Sequence, residues 1–144
     1  MSDIYALYIL LTSDNNQDTL CLSSDKLENK LPILKITSPK NLHREARYYA
    51  RKFFSPKEMI FNEQCNYNYL AVQHEYSLNY VTEHEKQFDP EKDIVLTYGG
   101  ITPFQILSEQ YFWHKLIYNH DYMGYYKDKN LNLLIDHTTQ HMIV

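Results

Sequence analysis

Cysteine is scarce in this chain: two residues, Cys21 and Cys65, in 144. That excludes a disulfide framework, and their apolar, strand-like settings suit small core hydrophobes better than redox or catalytic groups. Three glycines and five prolines exclude collagen-like and low-complexity chains. No apolar run approaches the ~20 residues of a membrane span, so no membrane partner is expected. An overall cationic character is also lacking. The net charge is -4 and the pI about 5.9, unlike a nucleic-acid binder that is basic throughout. The opening Met1-Ser2-Asp3-Ile4-Tyr5 has no basic stretch and no small-residue cleavage site. No secretory signal is therefore expected, and the expected location is cytoplasmic.

What is present is a foldable composition. Hydrophobic residues make up 44% and charged residues 22%, enough apolar material for a core. The length suits a single domain over residues 1–144. Tyrosine (14), Asn, Lys and Ile are abundant while Gly is rare, which is what AT-rich coding DNA produces.

The pattern predicts an α+β fold with a mixed, mostly antiparallel sheet and two principal helices. Ile4 to Leu11 is an apolar, β-branched and aromatic run. It is followed by turn formers from Thr12 to Asp18 and a second strand from Thr19 to Ser23, together a hairpin. Residues 24–30 are loop-like, and Ile33 to Thr37 is a short strand. Ser38-Pro39 reads as a helix start. Leu42, Ala46, Tyr49, Ala50 and Phe53 then recur at helical spacing, and Pro56 ends the helix near Phe54. Two or three antiparallel strands are expected between 58 and 84, then a charged connection from Glu83 to Lys92. Asp93 to Tyr98 is a strand that Gly99-Gly100 should break. Thr102-Pro103-Phe104-Gln105 resembles a capping box and predicts a second helix, burying Ile106, Leu107, Trp113, Leu116 and Ile117. The tail suggests a hairpin from Tyr122 to Ile135, turning at residues 127–130.

Charge is distributed unevenly. Residues 35–57 hold Lys35, Lys40, Arg44, Arg47, Arg51, Lys52 and Lys57 with one acid, Glu45. Seven cations and one acid leave seven cations and seventeen acids elsewhere, +6 against -10. Arg44, Arg47 and Arg51 stand at i, i+3 and i+7, so a helix carries them on one face. Their repulsion costs a few tenths of a kcal/mol per pair. A basic stripe on an acidic body suits a phosphate group, RNA or an acidic protein surface. The competing reading is a solvated helix face that pairs with acids of the same chain.

Other candidates are weaker. His137 and His141 are four residues apart, but no third ligand lies nearby. His74-Glu75 and His84-Glu85 do not extend into His-Glu-x-x-His, and His114 and His120 suggest no role. Tyr98-Gly99-Gly100 before a helix start would let backbone amides face an anion, but the preferred reading is a plain strand-to-helix turn. Tyrosines such as Tyr48-Tyr49, Tyr67, Tyr69 and Tyr125-Tyr126 offer stacking surfaces or ordinary packing.

The order of elements over residues 4–118 resembles a Nudix-type fold, and Arg44-Glu45-Ala46-Arg47-Tyr48-Tyr49-Ala50-Arg51-Lys52 falls where that family's box lies. Arg44 and Glu45 match the box. The two Glu positions that hold magnesium in the family are Tyr48 and Tyr49 here, the Gly position is Arg51, and the earlier Gly and Glu fall at Lys30 and Ile36. The resemblance implies a Nudix-like scaffold with a degenerate box and without the usual magnesium site. No metal, cofactor or catalytic residue is expected.

The leading expectation is a non-catalytic binding module for an anion, whether nucleotide, RNA or acidic protein surface. Its residues would be Lys40, Arg44, Arg47, Arg51 and Lys52. One alternative is a diverged Nudix-like phosphohydrolase using carboxylates from off the helix, such as Glu63, Glu75 or Glu83. Another is a structural or assembly protein, for instance of viral origin, joined through its opposed charge regions.

Overall fold

The computed structural model describes residues 3–37, 39–55, 93–126, 131–133 and 135–136. The strands expected between 58 and 84 lie outside the described residues, as do the connection to Lys92 and the turn at 127–130. So do Ser38, Lys57, Cys65, His74, His84, His137 and His141.

One strand organises the molecule. β1 (Ile4–Ser13) is buried along nearly its whole length. Its alternating side chains feed two separate cores, which is why its sequence is continuously apolar rather than alternating. Tyr5, Leu7, Ile9 and Leu11 point to one face, with Cys21, Leu31, Val95, Leu131 and Ile135. Ala6, Tyr8 and Leu10 point to the other, with Leu22, Ile36, Ala46, Ala50, Phe53, Phe54 and Tyr98.

The sheet is mixed and mostly antiparallel, as expected. β2 (Thr19–Ser23) pairs antiparallel with the end of β1, Leu11 opposite Cys21. β3 (Ile33–Ile36) pairs antiparallel with its beginning, Ile4 opposite Ile36. β4 (Ile94–Ile101) runs parallel to β1 from Ile4↔Ile94 to Leu11↔Ile101. β5 (Phe112–Lys115) adds antiparallel to β2. In the hairpin turn, Asp14 Oδ1 accepts from the Asn16 and Asp18 amides, and Gln17 takes a left-handed φ of 64°.

The helix lies where the apolar spacing predicts. Pro39 opens a 3-10 turn (Pro39–Asn41), α1 runs over Leu42–Ala50, and a second 3-10 turn (Arg51–Phe53) ends it. Ala46, Ala50 and Phe53 are buried, while Leu42 and Tyr49 pack at the edge of the same cluster. The other face of the sheet is covered by helical residues 131–133 and 135–136, through the fully buried Leu131 and Ile135. Two helical layers thus sandwich the described sheet. No helix among the described residues is long and apolar enough to cross a membrane.

Three local expectations are corrected. Gly99 and Gly100 do not break β4. They lie inside it opposite Ile9 and Leu10, and neither takes a positive φ. Continuous pairing with β1 outweighs the low strand propensity of glycine. The ladder carries on to Thr102, whose amide donates to Leu11 O at 3.0 Å, and stops at Pro103, which has no N–H to offer.

The helix expected from Thr102 does not form. The Thr-Gln side-chain contact is there, Gln105 Nε2 donating to Thr102 Oγ1 at 3.0 Å. The backbone beyond it is otherwise engaged. Ser55 N donates to Ile106 O, Ser108 N to Phe53 O, and Trp113 Nε1 to Gln105 O. Ile106 and Ile117, expected to be buried, are 59% and 71% exposed.

The tail is not a hairpin. A single bridge joins Asn119 to Gly124 around a 3-10 turn, His120–Tyr122. Leu131 and Ile135, four apart, use their helical spacing. Asn132 ties the two parts together, its Oδ1 accepting from the Tyr125 and Tyr126 amides at 2.8 Å each.

Candidate functional site: a basic helix face

α1 turns opposite faces to the core and to solvent. Ala46 and Ala50, being small, let the helix settle close onto the sheet. There the Tyr8 hydroxyl donates to Ala46 O at 2.6 Å. Tyr8 sits edge-on to Phe53 (4.9 Å between centroids) and stacks with Tyr98 (6.0 Å). Tyr98 Oη in turn meets His43 Nδ1 at 3.0 Å. The helix is therefore held in azimuth by four aromatic side chains, Tyr8 and Tyr98 of the sheet with His43 and Phe53, and by one backbone carbonyl. With that rotation fixed, Arg44 and Arg51 stand away from the sheet, and Arg47, also exposed, stands at the edge of the helix-sheet contact.

All five predicted basic residues are exposed. Arg44, Arg47 and Arg51 share the outward face, with Lys40 in the preceding 3-10 turn and Lys52 in the following one. Ion pairs among the described residues include Lys30 with Glu28, Lys35 with Asp3, and Lys115 with Asp18. Lys35 is thus neutralised within the chain, as the competing reading requires. Lys40 and Arg44 meet no carboxylate at ion-pair distance among the described residues. Two cations lie over aromatic rings: Arg51 Cζ is 5.5 Å from the Tyr48 centroid and Lys52 Nζ is 5.0 Å from that of Tyr49.

Position along the helix separates these cations. Arg51 and Lys52 are at the C-terminal end, where the macrodipole favours positive charge. Arg44 is in the first turn, where the dipole disfavours it, and Asn41 offers no side-chain cap there. Glu45 beside it is the only acid of α1. Helix stability therefore accounts for the last two cations and leaves Arg44 unexplained.

The adjacent tyrosines diverge. Tyr49 packs at the core edge, and its hydroxyl is hydrogen-bonded with Thr37 Oγ1 at 2.9 Å. Tyr48 is 60% exposed among the arginines. Sequence spacing alone does not reveal the Tyr98–His43 contact, because it depends on the parallel register of β4 on β1.

Two cavities walled by described residues stay apart from this face, and a third, very small one touches it at Arg47. A cleft of about 310 Å³ is lined by residues including Asp25, Lys30, Pro32 and Tyr111. An open depression of about 590 Å³ borders Tyr118, His120 and Tyr125. A void of about 10 Å³ lies between Arg47, Tyr8, Ala50, Tyr98 and Gly99. None of Lys40, Arg44, Arg51 and Lys52 lines these three cavities, whose walls are described residues. Because Gly99-Gly100 is inside a strand, neither the strand-to-helix turn expected there nor the alternative helix-start anion site is formed. His114 Nε2 lies 2.8 Å from Asp25 O, and His120 rests edge-on against Tyr118. Cys21 is buried in the core, and burial pushes its thiol up to about 12.

The architecture is similar to solved Nudix structures. A MutT/nudix family protein from Enterococcus faecalis matches with a TM-score of 0.52 and 10% identity, over 83% of this chain. This chain spans about half, 46%, of that protein's length. The Ap4A hydrolase of C. elegans matches with a TM-score of 0.54 and 12% identity, over the whole of both chains. The NUDIX domain of Shewanella oneidensis NrtR, solved with ADP ribose, gives 0.52 and 14%, over 100% of this chain and 90% of that one. No family model matches the sequence, and no curated protein does. The chain has a Nudix-like α+β fold.

Such a fold implies magnesium at the helix that carries the box. The donors on α1 do not fit it. Magnesium is held by hard oxygen ligands, chiefly carboxylates and phosphates with water. α1 supplies one carboxylate, Glu45, between Arg44 and Arg47, with Tyr48 and Tyr49 in the positions of the box glutamates.

Proposed function

We propose that this chain is a non-catalytic binding module that uses a Nudix-like scaffold to present a cationic helix to an anionic ligand. The observation that carries the reading is Arg44. It is exposed, stands at the disfavoured end of the dipole, and has no carboxylate partner among the described residues. Arg47 and Arg51 extend the same face, and Lys40 and Lys52 flank it. A ligand carrying several phosphates or carboxylates would offset the repulsion between these cations.

The test is the combined Arg44→Glu, Arg47→Glu, Arg51→Glu variant. All three side chains are exposed, so its circular dichroism should match the parent. It should lose binding to a labelled RNA oligonucleotide, a nucleoside triphosphate or an acidic peptide, whichever the parent binds. Unchanged binding to all three rejects the site.

The fold itself favours a second reading, a diverged phosphohydrolase, since one structure it is similar to is an Ap4A hydrolase. That activity needs carboxylates from outside α1. Glu63, Glu75 and Glu83 are the candidates, and they lie outside the described residues. Phosphate release from a nucleotide panel with magnesium or manganese, abolished by one carboxylate substitution, would establish it.

A further inference from the structure

We infer that the basic face binds single-stranded nucleic acid, with Tyr48 as the position on which a base stacks. This rests on the proposed anion-binding role of α1 and adds the chemistry of the ligand. A lone exposed tyrosine needs no explanation, but Tyr48 has particular neighbours. Arg44 stands one helical turn before it, Lys52 one turn after, and the Arg51 guanidinium lies 5.5 Å over its ring.

A ring with a guanidinium over one face, and with cations one turn before and after it, is suited to two parts of one ligand. The ring takes a base face, and the cations take the flanking phosphates. An acidic protein surface would use the charges and leave the ring idle. The side chains also divide the work. The Tyr49 hydroxyl is tied to Thr37 and its ring packs at the core edge, so Tyr49 orients the helix and Tyr48 stays accessible.

Shape separates a polymer from a free nucleotide. Small ligands are held in concave pockets that cover most of their surface. Lys40, Arg44, Arg51 and Lys52 line none of the three cavities described above, and Arg47 borders only the void of about 10 Å³, too small for a nucleotide. The cations instead run along the surface of α1, about 10 Å from Arg44 to Arg51 at helical rise, and continue into the 3-10 turns on either side with Lys40 and Lys52. A strand laid along that surface gains from several phosphates in turn.

The experiment compares the parent, Tyr48→Ala and Tyr48→Phe by fluorescence anisotropy, using labelled uridine and thymidine oligonucleotides about twelve residues long. Inorganic polyphosphate and polyglutamate serve as competitors. In Tyr48→Ala, oligonucleotide affinity should fall about ten-fold, as expected for loss of one stacked base. Polyphosphate competition should stay within about two-fold, because the charges remain. Tyr48→Phe should bind like the parent. Equal affinity for the uridine and thymidine strands means sequence-tolerant stacking, while a preference for uridine means the ribose hydroxyl is read; both support the inference. Loss of oligonucleotide and polyphosphate affinity by the same factor overturns it, as does no loss at all. A parent that binds polyphosphate or polyglutamate but no oligonucleotide overturns it too, yet leaves the anion site standing. Binding to none of these probes removes both.

Discussion

The hydroxyl of Tyr8, in the middle of β1, donates to the carbonyl of Ala46, in the middle of α1, at 2.6 Å and out of solvent. This bond connects the central strand to the helix that carries the basic face. It also fixes which way that helix is turned, so the outward direction of the arginines is inherited from the core.

Removing the hydroxyl tests that link. Tyr8→Phe should cost about 1 kcal/mol, the net worth of an ordinary buried hydrogen bond. Tyr8→Ala, which also leaves Phe53 without its edge contact, should cost about 3–5 kcal/mol. Urea unfolding with an unchanged slope and a lower midpoint is the expected record. No change in Tyr8→Phe would mean that this bond does not hold the helix in place.

The loop after β2 gives a pH prediction. Asp25 Oδ1 accepts from the Leu27 amide at 2.8 Å and the Glu28 amide at 3.0 Å. These two bonds, Leu27 first, hold its carboxyl below the ordinary 3.8. A folded-state value below the unfolded one contributes stability that is present above the unfolded value. That stability is lost as pH falls through the folded one. The Asp25 carboxyl should therefore titrate by NMR below pH 3.8, and Asp25→Ala should lack this part of the acid limb. A midpoint at or above that value would contradict the loop geometry.

Cys21 should be inert. Burial in the core keeps the thiol protonated, with its value pushed up to about 12. In a Cys65→Ser background, iodoacetamide at pH 8 should label Cys21 only after urea unfolding. Rapid labelling of the folded chain would place the thiol outside the core.

Much of this architecture was legible in the residues. The apolar run of β1 and the turn formers after it specify the hairpin, because few other arrangements satisfy both burial and backbone bonding. The spacing of Leu42, Ala46, Tyr49, Ala50 and Phe53 specifies α1 and, by exclusion, the basic face. The errors share one cause. Gly99-Gly100 and Thr102–Gln105 carry local signals that long-range pairing overrides. β1 recruits the glycines into a parallel ladder, and the end of α1 takes up the backbone that a second helix would need. At the tail, Leu131 and Ile135 fit either period until the far face of the sheet is known to need covering. The packing of Tyr49 follows from its place on the stripe with Leu42 and Ala46, whereas its bond to Thr37 and the contacts of Tyr8 and Tyr98 with the helix were unreadable, because they depend on the strand register.

The most direct test of the whole account is an amide-resolved NMR titration of the parent chain with a uridine oligonucleotide. The basic-helix account predicts that the perturbed amides cluster from Lys40 to Lys52 and that added salt reverses the shifts. Perturbations gathered around Ser24 to Leu34 and Tyr111, with α1 unmoved, would place the ligand in the neighbouring cleft and contradict it.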